Sequence, residues 1–272
     1  RANPWSTGDG LLAATAIGGA ATANLGEFYG HTLAAPPTRF NQTEFQEVGQ
    51  RYGPVAVALN LDGRRFTDES AGTGEEHLNH AVASQREATA AYVVDAESAE
   101  ASYYGSPIAS VRIEQLVGRD GPVARSESLE GLSEAMAAWG IVAGSALATL
   151  TEYDAAIAAG TAERLDPPRR ANHYRLATPP FHAVLVRPGI TFTCGGLQVD
   201  TGMRVLRRQA SVTTLPLVSA EPSELTHSAI EGLYAIGCDA GGFSAHGYMG
   251  GLSTALVTGR IAGGAAASGD GR

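Results

Sequence analysis

The order of apolar and polar positions along the chain predicts a mixture of helices and strands. Helical spacing or runs rich in alanine and leucine predict helices at residues 8–24, 75–90, 128–140, 145–159 and 252–267. Alternating or continuous apolar runs predict strands at residues 25–33, 54–61, 92–94, 182–186, 190–194 and 232–237. Ser128 is a candidate N-cap of its helix, as Ser6 and Thr7 are of the first helix.

Two glycine-containing dipeptides predict hairpin turns. Asp62-Gly63 is expected to return the chain as a strand at residues 64–66. Thr201-Gly202 is expected to join residues 197–200 to residues 204–206 in the same way.

Length and charge narrow the class of protein. The chain has 272 residues, of which 44% are hydrophobic, enough for one large domain or two small ones with a sizeable core. A net charge of −9 argues against nucleic-acid binding, which calls for a basic surface. No apolar run approaches the ~20 residues of a membrane span. No signal peptide is visible either, so a cytoplasmic protein is expected.

Lysine is absent, because all 19 basic residues are arginine. This excludes a Schiff-base lysine, a P-loop lysine and a lysine general base. Any cation that meets a substrate carboxylate must therefore be arginine or protonated histidine. Three arginines after Pro167-Pro168 are expected in a solvated loop: Arg169, Arg170 and Arg175.

The two cysteines offer no metal motif. Cys194 and Cys238 are too far apart in sequence for a metal knuckle and too few for a disulfide framework. Both are expected to be buried as small hydrophobic residues. No metal site is predicted.

Residues 8–13, Gly-Asp-Gly-Leu-Leu-Ala, fit the dinucleotide-binding pattern GxGxxG/A, but their context does not. That pattern needs a strand that feeds the turn before the helix. Only seven residues, one of them proline, precede Gly8. We therefore assign no pyrophosphate site here, although the helix start could still touch a cofactor.

The C-terminal stretch carries the strongest functional pattern. A strand reading GLYAIG at residues 232–237 precedes Gly241-Gly242, and a second pair, Gly250-Gly251, opens a helix that contains GRIAG at residues 259–263. Adjacent glycines let the backbone approach a flat ring, and the positive helix end would face that ring. This order resembles the end of the FAD-binding domain in the fumarate reductase and succinate dehydrogenase flavoprotein superfamily.

Four shorter stretches support the same resemblance. Residues 6–10 resemble the family's T-G-D-G, and residues 61–69 resemble its G-x-R-F-x-D-E hairpin. Residues 189–197, GITFTCGGL, and residues 246–251, HGYMGG, are similar to the tricarballylate dehydrogenase branch. The resemblance begins partway into the family pattern, so the chain is expected to be the C-terminal part of a longer flavoprotein or one half of a split one.

The resemblance implies FAD as cofactor and an α/β architecture with an α+β part. Residues 1–31 and 194–272 are expected to form part of an FAD-binding domain, Rossmann-like but without its N-terminal βαβ unit. Residues 32–193 are expected to form an inserted cap. The substrate would be held between domain and cap, away from water.

The resemblance also assigns site residues. The catalytic candidates are His31, His246 and Tyr248, and the substrate-binding candidates are Thr193 and Arg187. The cofactor-binding candidates are Thr7, Asp9, Gly195, Gly196, Asp239, Gly241, Gly242, Gly250, Gly251, Leu252, Ser253 and Thr254. A structural role fits His31 and His246 equally well, and a surface position fits Arg187 better.

The leading hypothesis is an FAD-dependent dehydrogenase or reductase that moves a hydride between flavin N5 and a C–C bond adjacent to a carboxylate or carbonyl. Tyr248 stands where fumarate reductases carry a substrate-binding arginine, and Thr191-Phe192 replace a histidine pair. A 3-ketosteroid dehydrogenase-like activity is therefore an alternative. A further alternative is a non-catalytic fragment or subunit that needs a partner chain for the ADP moiety of FAD. The expected partners are a small carboxylate or ketone and an N-terminal FAD-binding half or partner chain.

Overall fold

A computed structural model describes residues 2–41, 43–72, 75–102, 108–208, 228–245 and 247–269. Its helices there are α1 (Asp9–Ala16), α2 (Glu75–Ala83), α3 (Ala109–Val117), α4 (Leu129–Met136), α5 (Ala143–Ala158) and α6 (Gly251–Ser268). Its strands are β1 (Phe28–Ala34), β2 (Val57–Leu59), β3 (Ala90–Val94), β4 (Val123–Ser126), β5 (Phe181–Thr193), β6 (Arg204–Leu206) and β7 (Ala229–Tyr234). The predicted mixture of helices and strands is confirmed.

The chain folds into two compact units. One comprises Gly30–Ile190, and the other comprises Ala2–Tyr29 together with Thr191–Arg272. The assignment of residues 1–31 and 194–272 to an FAD-binding domain, and of residues 32–193 to a cap, stays a prediction.

The unit Gly30–Ile190 is built on a sheet in which β1, β5, β3 and β2 are neighbours in that order, with β4 also paired to β5. β3 is antiparallel to both β2 and β5. Its successive side chains face opposite sides of the sheet. Tyr92 therefore packs with Leu78 of α2 and Leu116 of α3, whereas Val93 packs with Met136 of α4 and Leu150 of α5. Helices thus cover both faces of the sheet.

Local signals account for α4 and α5. The Oγ of Ser128 accepts a hydrogen bond from the Gly131 N–H at 3.1 Å, which caps α4 as predicted. Gly140 has a φ of 80° and ends the turn that follows α4. α5 directs Leu150 and Tyr153 into the core, in agreement with the predicted spacing.

Several predicted elements differ in extent. α1 ends at Ala16 instead of residue 24, because Gly18 adopts a φ of 94° that a helix cannot continue. The helix predicted at residues 75–90 ends at Ala83. The strands predicted at 182–186 and 190–194 are one strand, β5. Gly189 inside β5 marks a close approach and not a turn, since a Cβ there would lie 2.6 Å from the His31 carbonyl oxygen.

The return strand predicted after Asp62-Gly63 is wrong, although the turn itself is present. Gly63 has a φ of 73°, and the Asn60 N–H donates to the Arg64 carbonyl at 2.9 Å. Residues 64–66 then form no strand. Instead, the Arg65 side chain turns inward and joins a buried ion cluster.

We call Arg65, Glu69 and Arg169 the buried ion cluster. Glu69 and Arg169 are 0% exposed and Arg65 is 7% exposed. The Glu69 carboxylate accepts from Arg65 Nε at 2.9 Å and Nη2 at 2.6 Å, and from Arg169 Nη1 at 3.0 Å. It also accepts from the backbone N–H of Ala58 at 3.0 Å, so both its oxygens are satisfied. The prediction that Arg169 lies in solvent is therefore wrong, whereas Arg170 and Arg175 are exposed.

The other unit contains an antiparallel ribbon of β6 and β7. The predicted hairpin through Thr201-Gly202 is confirmed by the bridge between Val199 and Val205. α1 and the ribbon share a small apolar core that includes Ala14, Val205 and Ile230. Among the described residues, no helix combines the length and apolar character needed to cross a membrane.

Candidate functional site

A cavity of about 140 Å³ lies within the unit formed by Ala2–Tyr29 and Thr191–Arg272. Its described wall consists of Phe192, Thr193, Cys194, Gly237, Cys238, Ala240, Phe243, Ser244, Met249, Gly251 and Thr254. None of these residues is charged. The wall brings together the end of β5, the segment after β7 and the first turn of α6, which are the stretches that carried the sequence motifs.

The glycine pairs hold two of these backbone segments together. The Leu197 N–H donates to the Asp239 carbonyl at 2.7 Å, and the Gly241 N–H donates to the Leu197 carbonyl at 3.0 Å. A Cβ on Gly241 would lie 2.1 Å from the Gly196 nitrogen, so this approach requires glycine. The sequence motif thus corresponds to a backbone contact beside the cavity.

The start of α6 supplies hydrogen-bond donors at the cavity. Gly250 precedes the helix with a φ of 78° and provides no side-chain cap. The Thr254 N–H makes the first helical bond, to the Gly250 carbonyl at 3.0 Å. The N–H groups of Gly251, Leu252 and Ser253 therefore have no acceptor inside the helix. They lie at the positive end of an 18-residue helix, which favours a ligand with negative or acceptor atoms.

The N-terminal candidates form a separate small group in the same unit. Thr7 Oγ1 donates to Asp9 Oδ1 at 2.8 Å, and both residues are exposed. The Asp239 carboxylate lies against Gly10, where a Cβ would be 2.8 Å from its Oδ2. Asp239 therefore faces the start of α1 and is not among the described residues of the cavity wall.

Tyr248 belongs to an aromatic cluster with Tyr29 and Phe192. The ring centroid of Tyr29 lies 5.0 Å from that of Tyr248 and 5.1 Å from that of Phe192, and the rings are tilted. Phe192 also lies in the cavity wall, so the cluster borders the cavity. Tyr248 is 62% exposed, so much of the residue is accessible to a ligand.

The structure places the remaining predicted site residues in different parts of the chain. Thr193, Gly251 and Thr254 lie in the cavity wall. Leu252 and Ser253 are exposed and are not among its described wall residues. His31 and Arg187 belong to the unit Gly30–Ile190, the former half-buried in β1 and the latter exposed. Arg187 Nε donates to Thr89 Oγ1 at 3.1 Å. His246 lies outside the described residues.

Several wall residues were not among the predicted site residues, above all Cys194 and Cys238. Cys194 is buried as expected, but Cys238 is exposed on the short turn Gly237–Asp239, so that part of the prediction is wrong. Burial raises the pKa of the Cys194 thiol, which keeps it protonated. Both cysteines lie next to the glycine motifs in sequence, and this position could have indicated that they line the cavity.

Cys238 is expected to react with iodoacetamide at least about tenfold faster than Cys194, because only an accessible thiolate attacks. Peptide mass spectrometry of the native protein over time measures both rates. Cys238→Ser should remove the fast phase alone, and both cysteines should react in urea. Faster labelling of Cys194 would contradict the described placement.

The chain belongs to the FAD-binding domain family, since the family described as "FAD binding domain" matches residues 2–254. FAD is the cofactor that this family indicates. The chain is 30% identical over 149 residues to an NADH:acrylate oxidoreductase of Vibrio harveyi, covering 53% of the chain and 12% of that relative. It is 26% identical over 268 residues to the probable fumarate reductase Ifc3 of Shewanella frigidimarina, covering 96% of the chain and 38% of that relative.

Solved structures with a similar fold include two enzymes. One is a flavocytochrome c3 fumarate reductase in its open conformation, with a TM-score of 0.59 and 25% identity over 96% of this chain and 40% of that one. The other is the 3-ketosteroid Δ1-dehydrogenase of Sterolibacterium denitrificans, with a TM-score of 0.68 and 20% identity. That match covers 98% of this chain and 48% of the dehydrogenase chain. The superfamily resemblance is confirmed. The chain spans less than half the length of each of these relatives.

Proposed function

We propose that this chain is the flavin- and substrate-handling part of an FAD-dependent oxidoreductase. Its reaction moves a hydride between flavin N5 and a C–C bond adjacent to a carboxylate or carbonyl. The observation that carries the proposal is a cavity in this chain, which belongs to the FAD-binding domain family. Cys194, Cys238 and the first turn of α6 form part of the cavity wall. The role of residues 32–193 as a cap, and the likeness to the tricarballylate dehydrogenase branch, belong to the same proposal.

The chemistry of the wall supports a flavin ring as the ligand. A Cβ on Gly251 would meet nothing within 4 Å, so the helix start opens onto free space. The free N–H groups there suit the N1 and O2 edge of the ring, and the apolar wall suits its faces. Gly195, Gly196, Gly241, Gly242 and Gly250 would shape the backbone around it, with Thr254 beside it and Thr7, Asp9 and Asp239 farther along the cofactor. When bound, FAD supplies the hydride-transfer chemistry.

Side chains of this chain would bind the substrate and handle its proton. Tyr248 can donate a hydrogen bond or a proton, and its packing against Tyr29 restricts the orientation of its ring. We propose His31 and His246 for the same tasks. Thr193 and Arg187 are proposed to bind the substrate.

A ketosteroid dehydrogenase-like activity is a second candidate. It is favoured by the described cavity wall, which holds no charged residue, and by the aromatic cluster beside it. Uncharged flat rings pack well against such surfaces, whereas a dicarboxylate needs cations.

The chain could also depend on a partner for FAD binding. α6 exposes several apolar side chains: Leu252 is 89% exposed, Leu256 74% and Val257 55%. Exposed apolar surfaces of this kind mark association sites. Under this candidate, a further segment or partner chain supplies the site for the ADP moiety.

A spectroscopic titration separates these candidates. The purified chain is titrated with FAD while visible absorbance and flavin fluorescence are recorded; saturable binding supports the flavoprotein proposal, and none at high FAD contradicts it for the chain alone. Riboflavin provides a second titration, because it lacks the ADP moiety. If the chain binds riboflavin as tightly as FAD, the ADP moiety adds no affinity, and the partner-dependent candidate is favoured.

The substrate class follows from a second measurement. The flavin-loaded protein is reduced without oxygen and mixed with fumarate, acrylate or an α,β-unsaturated cyclic ketone. Return of the oxidised-flavin absorbance with an unsaturated acid supports the leading hypothesis, and return with the ketone alone supports the second candidate. No reoxidation by any of them contradicts both.

A further inference from the structure

Two arginines of the unit Gly30–Ile190 have hydrogen-bond donors that the described protein leaves unused. Arg51 lies just before the short turn Gly53–Val55, and Arg112 lies on α3. Arg112 is 7% exposed, and Arg51 is half-buried. The Nε groups of both are buried with no acceptor among the described residues. Neither arginine was among the predicted site residues.

The arginines of the buried ion cluster, unlike Arg51 and Arg112, are paired with a carboxylate. There, Arg169 donates to Glu69 and to several backbone carbonyls, including that of Pro54 at 2.7 Å. By contrast, Arg112 donates to the neutral side chain of Gln115 at 3.0 Å, and Arg51 donates to the neutral side chain of Gln46. No carboxylate in the described part of the chain forms an ion pair with either arginine.

The positive charge of Arg51 also acts on Arg112. The pKa of Arg112 is lowered, first by burial and then by the positive charge of Arg51, and the negative charge of Glu47 offsets this only in part. The Glu47 carboxylate is paired with Arg119, which weakens its effect as a counter-charge. A buried pair of like charges is costly unless an anion compensates it.

Tyr52 adds a third donor at the same place. Its side chain is 1% exposed, and its hydroxyl has no partner among the described residues. Burial, assisted by the charge of Glu75, raises the pKa of Tyr52, while Arg112 acts in the opposite direction. The hydroxyl therefore stays protonated and can donate a hydrogen bond.

We propose that Arg51, Arg112 and the Tyr52 hydroxyl form a binding site for one small oxyanion of the carboxylate or phosphate type. Such an anion supplies the acceptors that the two guanidinium groups lack and neutralises their repulsion. Guanidinium forks match the paired oxygens of carboxylate and phosphate, which chloride cannot imitate. The site lies in the unit Gly30–Ile190 and uses none of the residues assigned to flavin binding.

The test is saturable binding of defined anions. The full chain is titrated with sodium phosphate, acetate or succinate against sodium chloride at equal ionic strength, with thermal unfolding and isothermal calorimetry as readouts. We expect at least one of the three to raise the unfolding midpoint saturably, and the phosphate and carboxylate arms identify the preferred source. No effect beyond that of chloride overturns the proposal.

Variants locate the effect. Arg112→Gln and Arg51→Gln should each weaken anion binding at least tenfold, and Arg125→Gln, at an exposed arginine of β4, is the matched control. Binding that persists unchanged in Arg51→Gln and Arg112→Gln overturns the assignment. Should Arg112→Gln fail to fold, Arg51→Gln and Tyr52→Phe decide, because they keep the Arg112 side chain. In anion-free buffer, Arg112→Met should unfold at a higher temperature than the wild type.

Discussion

Replacement of Glu69 by alanine is expected to lower the free energy of unfolding by about 3–5 kcal/mol, because it leaves two buried guanidinium groups without their counter-charge. Arginine side chains stay charged in proteins, and those of Arg65 and Arg169 have little access to water. Residues 167–172 should also be held less firmly, since Arg169 loses its bond to Glu69 and keeps only bonds to backbone carbonyls such as those of Pro54 and Ala56. Urea unfolding followed by circular dichroism measures the change.

Two other variants calibrate this prediction. Glu130→Ala removes an exposed carboxylate from α4 and should change stability by less than about 0.5 kcal/mol. Glu69→Gln keeps a hydrogen-bond acceptor and the side-chain shape but not the charge. Its loss in free energy of unfolding should therefore lie between those of Glu69→Ala and Glu130→Ala. Equal stability of Glu69→Ala and Glu130→Ala would mean that the buried ion cluster does not stabilise the fold.

Replacement of Gly251 by valine should weaken FAD binding about 100-fold, or about 2.7 kcal/mol, without unfolding the protein. The new side chain meets no protein atom within 4 Å of its Cβ, so the fold has room for it. Gly251 lies in the cavity wall, so the valine side chain would occupy space that a ligand needs beside the start of α6. FAD titration by fluorescence quenching, together with the unfolding midpoint, tests both halves of the expectation.

Gly263→Val is the matched control for this variant. Gly263 lies on the same helix, also has open space at its Cβ, and is not in the described cavity wall. It should bind FAD like the wild type. Unchanged affinity in Gly251→Val would place the flavin elsewhere, and equal loss in both variants would indicate a general effect on α6.

Local sequence signals predicted the elements that depend on local chemistry. The Ser128 cap, the end of the helical segment at residue 140 and the helix predicted at residues 145–159 all depend on neighbouring residues, so the local pattern locates them. The start of α6 after Gly250-Gly251 is similar, because paired glycines and the following apolar run mark it. The family motifs then indicated FAD, which the family match supports.

Long-range interactions explain the misses. Arg169 looked solvated because its neighbours in sequence are polar, but its counter-charge on Glu69 is 100 residues away. Separate strands were predicted at residues 182–186 and 190–194, whereas Gly189 continues one strand and permits close contact with another. Composition also cannot tell which cysteine is buried. Both line the cavity, but Cys238 is exposed on the turn that carries it.

The contact between Gly30 and Gly189 has a consequence for how this sequence can evolve. A Cβ on Gly30 would lie 1.7 Å from the Gly189 carbonyl oxygen, a backbone atom. A larger residue at Gly30 therefore cannot be rescued by a smaller residue at position 189, since Gly189 has no side chain to shorten. Compensatory substitution is closed to this pair, and a saturation library at the two positions should return glycine alone at residue 30.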